Sequence, residues 1–173
     1  VRPAPIRSGR GWTDPGEMTM NATYVVTRQF VEATQRARRA GFDAIEIHAA
    51  HGYLLSTFIS PLSNARTDRY GGGLENRMRF PLAVLAAMRG AWPKELPLFV
   101  RISASDWMED GSGVTDAEAV EIGRMLVGQG ADVIDVSSGG TSPLGKPGYG
   151  RMYQTGCADG SRNGGPGTTE AGG

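Results

Sequence analysis

The chain has 173 residues, with 18 Lys plus Arg against 18 Asp plus Glu, two His, one Cys and 26 Gly. Zero formal charge removes the bulk electrostatic argument for nucleic acid or an acidic membrane as partner, and one Cys with two His cannot supply a structural zinc site. The lone thiol points to a reducing cytoplasm, no apolar run approaches the ~18 residues that span a bilayer, and the opening VRPAPIRSGRG, without an initiator Met, reads as the ragged start of a fragment.

Residues 1–20 form an irregular lead-in. From Asn21 to Gly41, Val26, Phe30, Ala33 and Ala37 recur at helical spacing, and Gly41 is placed to end the helix. The next run, FDAIEIHAAHG, favours a strand, with Ile45 and Ile47 on one face and Glu46 and His48 on the other. A long polar loop follows. Leu74 to Arg89 then spaces Leu74, Met78, Leu82, Leu85 and Met88 as a helix, with a kink expected at Pro81. LPLFVRISAS gives a second strand. Thr115 and Glu118 form a capping box ahead of a third helix, whose Ile122, Met125 and Leu126 face inward, and ADVIDVSSGG is the third strand.

Helices alternating with strands imply an α/β fold with a parallel sheet, because parallel strands need crossover connections. From Gly156 onward there is no Val, Ile, Leu, Met, Phe, Trp or Tyr. Such a segment buries too little surface to offset its ordering entropy, so residues 156–173 are expected to form a loose tail after a unit at 21–155.

Each strand carries polar groups on one parity only: Glu46 and His48, Arg101 and Ser103, Asp135 and Ser137. These side chains should converge on one interior. A guanidinium there is costly unless something anionic or electron-rich needs it, which favours a binding role for Arg101. The competing reading is an internal ion pair of Arg101 with Glu46 or Asp135.

The sharpest local feature is His48-Ala-Ala-His51-Gly-Tyr53 at a strand exit. Two His three positions apart can share one face of a helical turn, and the small Ala residues leave room for a ligand. The pattern lacks the further ligands and the HExxH form of a zinc helix, so no metal is expected. Two imidazole donors aimed at one oxygen suit a developing negative charge on a carbonyl or phenolate. Tyr53 is a proton-donor candidate, with plain packing as its competitor. Gly140 to Lys146 mimics a phosphate loop, GxxxxGK, but Pro147 stands where the motif needs Ser or Thr and a helix start.

The run GFDAIEIHAAHGYLLSTFISPLSNARTDRYGGGLENRMRF, followed by FVRISASDW, resembles the Old Yellow Enzyme family, the FMN-dependent NADH:flavin oxidoreductases, and most of all its bacterial ene-reductase-like branch. The later GRMYQT resembles the reductase module of salicylyl-CoA and anthraniloyl-CoA type monooxygenases. The resemblance implies part of a (β/α)8 TIM barrel, about three central strands with their helices, holding FMN and using NAD(P)H as reductant. It implies that His48 and His51 bind the substrate carbonyl, that Tyr53 is the active-site tyrosine and that Arg101 contacts the flavin. The expected reaction is hydride transfer from reduced flavin to an activated alkene, an enone or an enoyl or aromatic thioester. The alternative is a non-catalytic barrel fragment or assembly partner without a complete flavin site. Small-molecule substrates, neither nucleic acid nor membrane, are the partners expected, with self-association invited by open sheet edges.

Overall fold

The computed structural model describes residues 3, 16–147 and 168–171. Its elements run α1 (Met20–Arg39), β1 (Ile45–Ala49), α2 (Leu54–Ile59), α3 (Leu74–Ala91), β2 (Leu98–Ser103), α4 (Asp116–Gly128), β3 (Val133–Ser137) and β4 (Thr168–Ala171). The four strands form one sheet in the order β1-β2-β3-β4, with every neighbouring pair parallel. The tail expected to be loose is described only at 168–171, where the backbone pairs with β3; the GRMYQT run lies outside the described residues.

The turns into β1 and β3 share one mechanism. After α1, Gly41 takes φ +80, its N–H donates to Arg38 O (3.1 Å) and the Phe42 N–H donates to Ala37 O (3.2 Å). After α4, Gly130 takes φ +108, its N–H donates to Val127 O (3.0 Å) and the Ala131 N–H donates to Leu126 O (3.1 Å). Both are Schellman closures, in which a left-handed residue lets two N–H groups satisfy the last carbonyls and turns the chain back into the sheet. At the other end, Thr115 caps α4 by accepting from the Glu118 N–H (3.3 Å). The Glu118 carboxylate does not complete the box; it pairs with Arg77 instead.

Ile47, Val100, Ile102, Ile134 and Val136 are buried on the helix-covered side of the sheet, against Met78, Val84, Leu85, Ile122 and Leu126. In α1 the inward stripe differs from the apolar one read in the sequence. Ala33 is exposed, and Thr23 and Thr34 are buried in its stead. Their hydroxyls donate to Met20 O (2.7 Å) and Phe30 O (3.0 Å), so burial leaves neither group stranded. Pro81 lies inside α3 without ending it.

The stretch after β1 is not all loop. LLSTFI forms α2, with Leu55 through Ile59 buried, so it carries no polar face from which periodicity could be read. Its hydroxyls are satisfied locally, Thr57 donating to Leu54 O (2.6 Å) and Ser56 accepting from the Gly52 N–H (2.9 Å). Two buried guanidiniums hold the following loop. Arg66 donates to Pro3 O (2.9 Å) and Met18 O (2.7 Å) and pairs with Asp68, while Arg77 donates to Ile59 O and Gly72 O.

Candidate active site

Parallel pairing sets His48 opposite Arg101 and Arg101 opposite Asp135, so one polar rung crosses three strands on the face away from the helices. Arg101 Nε lies 3.3 Å from Asp135 Oδ2, the ion pair that the strand parity allowed. One step toward the carboxyl ends, Ser103 stands opposite Ser137.

Past the end of β1 the chain turns sharply. His51 has φ +58 and Gly52 φ +71, and His51 is held from two sides. Its backbone N–H donates to Ser103 Oγ (2.9 Å), and the Ser103 hydroxyl donates to Gly139 O (2.8 Å). Its ring Nε2 lies 2.7 Å from Ser137 Oγ, which also accepts from Arg101 Nη2 at 3.5 Å. The loop after β3 presses close enough that only Gly fits at 140, where φ is +81 and an added Cβ would sit 2.6 Å from His51 Cα. The exits of β1, β2 and β3 are thereby interlocked.

The His48 ring centroid lies 5.2 Å from that of His51 and 5.1 Å from that of Tyr53. Tyr53, just ahead of α2, is 64% exposed. The four residues singled out in the sequence, His48, His51, Tyr53 and Arg101, therefore share one face at the carboxyl ends of the strands. The route differs from the helical turn envisaged for the His pair. His48 is the fourth residue of β1 and His51 lies in the turn beyond it, because strand geometry extends through Ala49 and only the positive φ of His51 brings its ring back.

Burial first, and the Arg101 charge as well, pushes the His48 imidazole below its ordinary value of 6.5; Asp135 pulls weakly the other way. His51 is lowered too, by burial, then by His48 and Arg101. Both imidazoles are thus neutral near pH 7, each with one N–H to give and one lone pair. Glu46, exposed as a residue, has its carboxyl raised by desolvation of its head group and by the Asp135 charge, against the lowering effect of Arg101.

Ser103 and Ser137, noted in the sequence only as polar-face residues, are the groups that fix His51. Asp106 was not singled out. It is 2% exposed, and its Oδ2 accepts from the Ser60 hydroxyl (2.6 Å) and the Val114 N–H (2.9 Å), tying the end of α2 to the loop before α4. Its one sequence signal was an acidic residue directly after a strand exit, in SASDW. The phosphate-loop mimic at 140–146 has no helix after it among the described residues, and among those residues no group of three His, Cys, Asp or Glu is placed to hold a metal ion. No described helix is long and apolar enough to cross a membrane.

Residues 5–147 match the model of the NADH:flavin oxidoreductase / NADH oxidase family. The chain is 49% identical over 143 residues to an NADPH dehydrogenase of Clostridium acetobutylicum, covering 83% of this chain and 42% of that protein. Among solved structures it resembles a 2-naphthoyl-CoA reductase bound to 2-naphthoyl-CoA, at 27% identity and TM-score 0.88, over 99% of this chain and 26% of that one. Morphinone reductase aligns at 27% identity and TM-score 0.72, over 92% of this chain and 41% of that one. The chain therefore spans less than half the length of these relatives.

Proposed function

Because the chain belongs to the NADH:flavin oxidoreductase / NADH oxidase family of FMN-dependent, NAD(P)H-using oxidoreductases, we propose that its segment of (β/α)8 barrel carries the substrate-binding wall of an ene-reductase-type site. The observation that carries this reading is the convergence of two neutral imidazoles, a tyrosine and a guanidinium on one strand-end face.

The fit to a flavin rests on Arg101. Its Nε is buried without a hydrogen bond, although it lies near the Asp135 carboxylate, so the guanidinium keeps donor capacity for an electron-rich ring edge. Arg101 would hold that edge. When bound, FMN supplies the chemistry of storing a hydride from NAD(P)H and passing it to the β-carbon of an activated alkene. His48 and His51 hold the carbonyl oxygen of the alkene substrate and stabilise the negative charge that develops on it. As neutral donors they do so without bringing a competing proton. Tyr53, adjoining His48 and open to the face, delivers the proton to the α-carbon. An aromatic or enoyl thioester is supported as substrate class by the likeness to 2-naphthoyl-CoA reductase, and an enone by the likeness to morphinone reductase. A reducing cytoplasm fits a chain with a single thiol.

The test is to titrate a para-substituted phenol into the chain in the presence of FMN. The expected result is a long-wavelength charge-transfer band, with shifts of both imidazole signals by NMR, and loss of the band in a His48→Ala, His51→Ala variant. No band and no imidazole response would refute the reading. That outcome would favour the assembly role, for which β1, at one end of the strand order among the described residues, offers an edge.

A further inference from the structure

We propose that Ser137 is a positioning residue that fixes His51 as its Nδ1–H tautomer, so that Nδ1, and not Nε2, is the nitrogen offered to a bound oxygen. The functional meaning of this inference rests on the reading of His51 as a carbonyl donor. The geometry behind it is independent of that reading.

Ser137 is 4% exposed, and its hydroxyl has one proton and two lone pairs to place. Its polar side-chain neighbours are Arg101 Nη2 at 3.5 Å and His51 Nε2 at 2.7 Å. A guanidinium can only donate, so Arg101 takes up a lone pair of the hydroxyl. The hydroxyl proton then finds its acceptor in His51 Nε2. An imidazole that accepts at Nε2 carries its own proton at Nδ1 when neutral. In the opposite tautomer Nε2–H and Arg101 would both donate to the same oxygen, and no described side chain would receive the proton of the buried serine.

The arrangement is rigid as well as polar. The His51 backbone is tied through its N–H to Ser103 Oγ and pressed by Gly140, while its ring is tied to Ser137, so a rotation that exchanged the two nitrogens would break a contact at one end or the other. His48 differs, because its ring touches the rings of His51 and Tyr53 but makes no hydrogen bond among the described residues. One imidazole is therefore set in advance and its neighbour is left to adapt to the ligand.

The chain contains only these two His, so a long-range proton–nitrogen NMR correlation of the full chain labelled with 15N-histidine, taken at pH 8, shows two imidazoles, and a His51→Gln variant assigns them. The expected result is a single Nδ1–H pattern for His51 and a mixture of tautomers for His48. Ser137→Ala should convert His51 to a mixture, and Ser137→Thr, which keeps the hydroxyl, should preserve the single pattern. An Nε2–H pattern or a mixture at His51 in the unmodified chain, or a His51 pattern unmoved by Ser137→Ala, overturns the proposal. Adding phenol with FMN separates the two claims. A fixed Nδ1–H tautomer with no ligand response leaves the tautomer assignment standing and removes the functional reading, and responding imidazoles with Nε2–H at His51 do the reverse.

Discussion

Replacing Gly140 by Ala tests whether the interlock between the loops after β1 and β3 holds His51 in place. The new Cβ would lie 2.6 Å from His51 Cα, 2.9 Å from its Cβ and 3.0 Å from its carbonyl carbon. Carbon atoms meet comfortably at about 3.5–4.0 Å, so the two loops must part by about 1 Å, and the obstruction is mostly backbone, which cannot swing aside. Overpacking of this kind costs ~1–3 kcal/mol. The positive φ of Gly140 adds ~1–2 kcal/mol for an L-residue, giving a total of ~2–5 kcal/mol. Gly139→Ala is the control. It also has positive φ, but its Cβ would meet the Trp107 Cδ1 at 3.5 Å, an ordinary contact, so only the backbone cost of ~1–2 kcal/mol applies. Urea denaturation of both variants, read with the two imidazole signals, measures the difference. Gly140→Ala should be the less stable of the two and should move the His51 signal. Equal stability with His51 unmoved would refute the interlock.

Two further outcomes follow from the electrostatics. In an NMR pH titration both imidazoles should lose their proton below the ordinary histidine value of 6.5, since burial lowers each; either one titrating at or above 6.5 would contradict the burial argument. The linked stability has a definite sign. A lowered folded pKa means that the unfolded chain binds the proton first, so this contribution is intact above 6.5 and is lost as pH falls from there toward the folded values. Exchanging both His for Gln should flatten that part of a stability profile. Asp135→Asn should lower both imidazoles further and bring the Glu46 carboxyl down toward 4.5, because the Asp135 charge raises all three; a rise in either imidazole would mean that Asp135 does not face them.

Much of the architecture could be read in the chain because it is written in local terms. The strand parities, the Thr115 cap and the glycine at 41 each reflect a period or a backbone preference that a few consecutive residues express. The candidate site was legible for the same reason. Glu46, His48, Arg101 and Asp135 stood at polar positions in strands whose other parity was apolar, and a parallel sheet turns a shared parity into a shared face. The helix α2 was not legible, since a six-residue helix buried nearly all round leaves no amphipathic trace. Nor was the burial of Thr23 and Thr34 in place of Ala33, which depends on hydroxyls satisfied within the helix.

What the sequence determined alone is therefore the α/β class, the identity of the polar face and the residues on it, because side-chain alternation is a property of one strand. The tertiary structure decided which of those residues meet. Pairing register set Arg101 between His48 and Asp135, and the close passage of Gly140 under His51 bent one imidazole back toward the other and onto Ser137. Contacts between segments 86 positions apart in the chain, such as His51 to Ser137, depend on how three loops close over one another, and no local pattern encodes that.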